Sequence, residues 1–399
     1  MVGPAVKYFS NDLLMRVLGA AQLLFFFPLI QERVGAEAFV NYVTLIAVSM
    51  VIGRVGSIGL QDVLFRYLPR YGFRPLRNIF NASTVLILLL LSFSFALACY
   101  WLGWIASMFM VLVTINLHLS GMYKQLGDFN RFRVLSLSFY SGPILFFFAL
   151  EASLFNALNY TLSDLLFFSS IVIIALPLVS VYSDVRKKIG KPIIFDFRNR
   201  KFIGIIAPVV VYGVYVEQGL RLVSALFFEV SEAADFLLHL HLASALVLYP
   251  LSVLNVTLQF YFGRRLRIKK DIEEFWKIFC SYSALSIIWL TLLILVFWIF
   301  QGEAWSRYSD TEFDFLLLSA LLVNFSVVSV LGVLIDYLLF VDKSGLPKIL
   351  ATNTLIGSTI LFLVFWIDSL LAWEKIALVA SFGVLSNYYF LLRFRGASG

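Results

Sequence analysis

Twelve apolar stretches of spanning length follow one another along the chain at nearly even spacing. A helix of about 20 apolar residues crosses the hydrocarbon core of a bilayer, and inside lipid every backbone polar group must be satisfied by the protein itself. We therefore predict an all-α polytopic membrane protein with about twelve transmembrane helices. The predicted spans cover residues 11–31, 37–60, 78–99, 101–121, 134–150, 161–183, 202–228, 235–261, 278–300, 314–340, 349–367 and 371–392.

The composition excludes an ordinary water-soluble domain. Hydrophobic residues make up 61% of the 399-residue sequence and charged residues 14%, whereas soluble domains contain about 45–50% and 25%. A soluble fold would have no interior large enough for this apolar surface. The two cysteines, Cys99 and Cys280, lie in apolar runs and lack the spacing of a disulfide framework or a metal site.

Lysine and arginine are distributed unequally between the two sides of the predicted membrane. Of the 31 basic residues, 25 lie at the N-terminus or in the loops after even-numbered spans, while the loops after odd-numbered spans hold only Arg33, Arg307 and Lys375. Because basic loops are retained in the cytoplasm, we predict that both termini are cytoplasmic. Six tryptophans lie at or beside the basic-poor loops, as an outer interfacial belt requires: Trp101, Trp104, Trp298, Trp305, Trp366 and Trp373.

The net charge of +7 is spread over many short loops and predicts no nucleic-acid partner. The basic run 264–279 is typical of a surface helix that contacts anionic membrane lipids.

The longest basic connection, residues 184–201, divides the spans into two sets of six. We predict an N-terminal lobe at 1–183, a cytoplasmic linker at 184–201 and a C-terminal lobe at 202–399. At an offset of 197 residues Phe39 aligns with Phe236, which favours a parallel internal repeat.

Catalysis is not indicated by any motif. No outer loop exceeds about 15 residues, and the sequence has no Ser-His-Asp arrangement, no glycine-rich phosphate loop and no paired metal ligands. We predict that the protein is not an enzyme and has no cofactor or metal.

Charged residues inside the spans are the strongest candidates for a substrate site, because a charge at the bilayer centre costs roughly 3 kcal/mol on insertion scales. In YVEQGLRLVS, Glu217 and Arg221 are four residues apart and share a helical face. Arg54 lies among glycines in VIGRVGSIGL, and Arg16 lies near the inner end of the first span. Each arginine either lines a cavity and binds an anionic substrate group or extends to lipid headgroups. For Arg221 a further alternative is that Glu217 only neutralises its charge.

Other ionisable residues lie nearer the predicted span ends. Asp336 is either interfacial or, together with Glu217, a candidate for ion coupling. The histidines His118, His239 and His241 are predicted to be interfacial.

The segments RVGSIGLQDVLFRYLP and VEQGLRLVSALFFEVSEAADF, together with the twelve spans, resemble the flippases of lipid-linked oligosaccharides. These belong to the multidrug/oligosaccharidyl-lipid/polysaccharide transporter superfamily. The resemblance implies two six-helix lobes around a central cationic cavity, with Arg221, Glu217, Arg54 and Arg16 at substrate-binding positions. Val17 replaces the acid that follows the first-span arginine in the peptidoglycan-precursor branch.

The resemblance further implies alternating access in the bacterial inner membrane and transport of an undecaprenyl-diphosphate-linked oligosaccharide to the outer leaflet, for O-antigen, capsule or a related surface polysaccharide. The protein's expected partners are this lipid-linked oligosaccharide, the surrounding membrane lipids and the glycan polymerase machinery. A twelve-helix unit is able to act as a monomer. Two alternatives stay open, a multidrug or organic-cation extruder of the same superfamily and a membrane-embedded polymerase or glycosyltransferase.

Overall fold

The computed structural model of the protein describes residues 17–56, 129–151, 161–180, 200–251, 272–306, 312–341 and 346–397, together with Leu13, 253–254 and much of 92–120. These residues are helical almost throughout, and no strand occurs among them. The predicted all-α polytopic fold class is confirmed.

Eleven helices are defined in these ranges. They are α1 (Val17–Val34), α2 (Ala36–Gly56), α3 (Gly103–Leu117), α4 (Phe129–Glu151), α5 (Leu162–Ser180), α6 (Arg200–Phe227), α7 (Val230–Leu251), α8 (Ile272–Ser306), α9 (Phe315–Val341), α10 (Leu346–Trp366) and α11 (Ala372–Ala397). Each overlaps one predicted span, and the remaining predicted span, 78–99, falls mostly outside the described residues.

Six of the described helices are long and apolar enough to cross a membrane. They are α1, α2, α7, α8, α9 and α10, with mean hydropathies of their apolar windows from 1.3 to 2.5. The helices α3 and α5 contain shorter apolar segments.

The chain forms two compact units, which we call unit N (Arg33–Leu222) and unit C (Met1–Glu32 with Val223–Gly399). The lobe boundaries expected from the sequence, at residues 183 and 202, stay a prediction.

Within unit N, the helices are joined by buried polar contacts between small side chains. The Asn116 side-chain amide donates to the Ser138 hydroxyl at 2.8 Å, and the hydroxyls of Ser120 and Ser136 are 3.3 Å apart. In an apolar solvent, small and hydroxylated residues allow close packing and supply the hydrogen bonds that hold helices together. These contacts fix α3 and the described residues 119–120 against α4.

Within unit C, α1 packs along α7 in an antiparallel direction. The rings of Phe27 and His241 meet edge to face at 4.5 Å, and Gly19 lies so close to Tyr249 that an added Cβ would be 2.7 Å from the tyrosine ring. Eight residues separate the two contact points on each helix.

Both helices of this pair contain one π-helical turn between their two contact points, Gln22–Phe26 in α1 and Ser244–Leu248 in α7. A π turn inserts an extra residue and disturbs the regular backbone hydrogen bonds. In α7 the carbonyl of Leu246 accepts a hydrogen bond from the Trp289 indole nitrogen of α8 at 2.8 Å. A side chain from a neighbouring helix therefore satisfies a carbonyl within this irregular turn.

Candidate functional site

Arg221 is half-buried on α6, about 9 Å before the C-terminal end of that helix at a rise of 1.5 Å per residue. Its Nη1 donates to the backbone carbonyl of Glu217 at 2.6 Å and to the side-chain Oε1 of Gln218 at 3.0 Å. Both bonds involve the same terminal nitrogen, so one edge of the guanidinium is fixed by its own helix.

Gln218 extends this contact to a second helix. The residue is 2% exposed, and its Nε2 donates to the Sδ of Met50 on α2 at 3.2 Å. An arginine can only donate and a thioether can only accept, so these two partners also fix which end of the amide is oxygen and which is nitrogen. The chain of contacts runs from Arg221 through Gln218 to α2.

Arg54 follows Met50 by four residues on α2, and residues four apart lie on the same face of a helix. The two helices that carry the predicted substrate-binding arginines therefore meet through Gln218 and Met50 within unit N. The contact between Gln218 and Met50 joins the face of α6 that includes position 221 to the face of α2 that includes position 54.

The structure describes fewer contacts for the other predicted site residues. Glu217 is exposed on α6 and contributes its backbone carbonyl to Arg221. The side chains of Arg54 on α2 and Asp336 on α9 lie outside the described part of the structure, as does Arg16 entirely. The roles expected for these residues stay predictions.

Gln218 was not singled out by the sequence, because it lacks the charge that marks a residue inside a span as a candidate for a substrate site. One signal was available. Gln218 precedes Arg221 by three residues and so shares its helical face, where a side-chain acceptor is positioned to meet the guanidinium.

Two of the three histidines expected at the interface, His239 and His241, are buried in unit C and are each 1% exposed. The third, His118, lies outside the described residues. The Nδ1 of His239 lies 2.8 Å from the backbone carbonyl of Asp235, and its Nε2 accepts from the Asp314 backbone amide at 3.2 Å. A carbonyl only accepts, so the proton sits on Nδ1 and the ring is neutral. Stacking on Trp305 at 4.1 Å completes a structural role for this ring.

Lys375 is a second departure from expectation. The sequence places it in an outer loop, whereas in the structure it lies in the first turn of α11 and is 4% exposed. Its Nζ lies 4.9 Å from the centre of the Phe228 ring and 5.7 Å from that of Phe365, and it donates to the Phe365 carbonyl at 3.4 Å. Aromatic faces attract cations, which accounts for the inward direction of this side chain.

No cluster of three or more His, Cys, Asp or Glu side chains that could hold a metal ion is found in the ranges that the structure describes. The chemistry available at the α2–α6 contact is hydrogen bonding and positive charge. A guanidinium in this setting suits an anionic oxygen ligand.

No protein-family model matches the chain, and no curated protein matches it either. Among solved structures, the chain is similar to the inward-facing conformation of a multidrug resistance MATE family transporter of the MOP superfamily. The TM-score is 0.62 at 13% sequence identity, and the similarity covers 98% of each chain. The whole chain therefore has the fold of this MATE transporter.

Proposed function

We propose that this protein is a transporter that flips an undecaprenyl-diphosphate-linked oligosaccharide from the inner to the outer leaflet of the bacterial inner membrane. The sugar unit then serves the synthesis of O-antigen, capsule or a related surface polysaccharide. The diphosphate engages the arginines, the sugars cross in a hydrated space, and the prenyl tail stays in lipid.

The observation that carries this proposal is the anchoring of Arg221 to Gln218, which in turn contacts α2. An arginine that only extended to headgroups would need no buried side-chain partner pointing to a neighbouring helix. The guanidinium is permanently charged, and its planar fork forms paired hydrogen bonds with phosphate oxygens. A diphosphate is the part of the proposed substrate that matches this chemistry.

The fold supports transport by alternating access. The similar structure is a transporter captured in an inward-facing conformation, which is one of the states that an alternating-access cycle requires. The proposed cytoplasmic position of both termini rests on the distribution of lysine and arginine.

The proposal is tested by measuring flipping in proteoliposomes. The substrate is a polyprenyl-diphosphate oligosaccharide that carries a fluorophore, and a membrane-impermeant reductant reports how much of it reaches the outer leaflet. We expect Arg221→Ala and Arg54→Ala each to lower the initial rate by about ten-fold or more, since a lost hydrogen bond to a charged group is worth about 1.5–3 kcal/mol.

Arg33→Ala is the matched control, because Arg33 lies in the last turn of α1 and outside the proposed site. It should flip at the rate of the unmodified protein. Equal rates for Arg221→Ala, Arg54→Ala and the control, at equal reconstitution, would remove both arginines from the mechanism.

A multidrug extruder is the second candidate, and the similarity to a multidrug resistance transporter favours it. Such a protein needs acidic groups for cationic drugs, whereas the predicted in-span charges are three arginines and Glu217. Expression in a drug-sensitive strain distinguishes the two functions. Resistance to organic cations that depends on Glu217, without any flipping of the lipid-linked sugar, would favour the extruder.

We further propose that the protein acts as a transporter without enzymatic activity. Purified protein incubated with the lipid-linked substrate should neither transfer sugar nor release polymer. Either product would favour the membrane polymerase or glycosyltransferase instead.

A further inference from the structure

Gln218 has an uncharged but polar side chain that is buried on α6, within a predicted span. A buried amide costs free energy unless its hydrogen-bonding groups are matched. Here the oxygen accepts from Arg221 and the nitrogen donates to Met50, so both ends of the amide are used. One partner is a candidate substrate-binding residue and the other belongs to a different helix.

We propose that Gln218 is a positioning residue that sets the orientation of the Arg221 guanidinium toward an anionic substrate group. This inference rests on the proposed function. With Nη1 held by Oε1 of Gln218 and by the carbonyl of Glu217, the plane of the guanidinium is fixed, and so are the directions of Nη2 and Nε. Arginine side chains have several rotatable bonds, so fixing the plane in advance reduces the entropy lost when a phosphate binds.

The contact with Met50 links this orientation to α2. Met50 and Arg54 occupy one face of α2, and Gln218 and Arg221 occupy one face of α6. In the predicted topology the two helices run in opposite directions, which separates the two arginine positions by about 10 Å along the helix axis at 1.5 Å per residue. The contact between Gln218 and Met50 is therefore a point at which the helix that carries Arg221 meets the helix that carries Arg54.

A purely structural role for Gln218 is the competing explanation, because buried amides also join helices in membranes. The two roles differ in how they depend on Arg221. A positioning residue affects substrate binding only through the arginine. Loss of a packing residue lowers the stability of the protein, and with it substrate binding, whether or not the arginine is present.

The test is a double-mutant cycle on substrate affinity. Gln218→Met keeps the length and volume of the side chain but removes both hydrogen bonds. We measure the dissociation constant of the full-length purified protein for the polyprenyl-diphosphate oligosaccharide in Gln218→Met, Arg221→Ala and the double variant, together with the melting temperature of each.

Gln218→Met should weaken binding by at least about five-fold in the unmodified background, since a hydrogen bond to a charged group is lost. It should change binding by less than about two-fold when Arg221 is already alanine. Met50→Leu, which removes only the sulfur acceptor, should weaken binding in the same direction and by less.

Asn116→Leu is the matched control, because Asn116 is also a buried amide in unit N and donates to Ser138. It should lower the melting temperature about as much as Gln218→Met and leave the dissociation constant unchanged. Equal weakening by Gln218→Met with and without Arg221, or no weakening at all, overturns the positioning role. If Arg221→Ala binds the polyprenyl-diphosphate oligosaccharide as tightly as the unmodified protein, Arg221 does not bind the substrate and the proposed function fails at this site. That result is distinct from a failure of the positioning role of Gln218.

Discussion

The ammonium group of Lys375 lies 4.9 Å from the centre of the Phe228 ring, with almost none of the lysine exposed. Phe228 belongs to the turn between α6 and α7, Phe365 to the end of α10, and Lys375 to the start of α11. One side chain of α11 therefore contacts two other parts of unit C. Among the described residues its contacts are the two aromatic rings and one carbonyl oxygen.

Replacing Lys375 with methionine should raise the melting temperature. A buried cation loses several kcal/mol of hydration, while a cation–π contact returns about 2 kcal/mol when desolvated, and the carbonyl bond of 3.4 Å is long. The hydration term is larger, so we expect Lys375→Met to stabilise by about 1 kcal/mol or more. Lys277→Met, at an exposed lysine of α8, should have little effect. A lower melting temperature for Lys375→Met would mean that the aromatic contacts outweigh the lost hydration.

Gly19→Ala should destabilise the contact between α1 and α7. The new Cβ would lie 2.7 Å from the Tyr249 ring, and overpacking of this kind costs about 1–3 kcal/mol. Gly332→Ala on α9 is the control, because nothing lies within 4 Å of its added Cβ, and glycine-to-alanine changes inside a helix stabilise by roughly 0.5–1 kcal/mol. Thermal unfolding in detergent should give opposite signs for the two variants. Stabilisation by both variants would show that Tyr249 moves aside without cost.

Arg221→Lys should give a flipping rate between those of the unmodified protein and Arg221→Ala. Lysine keeps the positive charge but lacks the planar fork that forms paired hydrogen bonds with phosphate. The proteoliposome assay checks this order of rates. A lysine variant as fast as the unmodified protein would show that charge alone is sufficient at this position.

The C-terminus should be cytoplasmic and the turn between α10 and α11 should face the opposite side. A green fluorescent protein fused after residue 399 should fluoresce, because it folds in the cytoplasm. Alkaline phosphatase fused after Asp368 should be active, because it requires the periplasm. The reverse pattern would invert the topology inferred from the basic loops.

Hydropathy and charge predicted the helices well because lipid imposes a simple rule on length and polarity. Each described helix overlaps a predicted span, and the aligned pair Phe39 and Phe236 is fully buried, each residue in its own unit. The internal repeat stays a prediction. What the sequence did not give was the inward face of each helix, since spans that are apolar on all sides have no polar stripe to mark it.

The positions of Lys375 and His239 illustrate this limit. The sequence puts Lys375 in an outer loop and His239 near a span end, but their burial depends on Phe228 for the lysine and on Trp305 for the histidine. Phe228 comes from a turn and Trp305 from another helix, both at large sequence separations. Arg221 was identified from its charge alone, and its partner Gln218 required the structure.

The paired π turns of α1 and α7 have a consequence for insertions and deletions. Because each helix carries its surplus residue between the same two contacts, the pairs Phe27–His241 and Gly19–Tyr249 are both preserved. Removing one residue from the turn in α1 would let it close as an ordinary α turn, so Gly19 would keep its direction toward Tyr249. These two turns are therefore the places where α1 and α7 are each expected to tolerate the loss of one residue, whereas a deletion in a regular α-helical segment rotates the residues before it by about 100°.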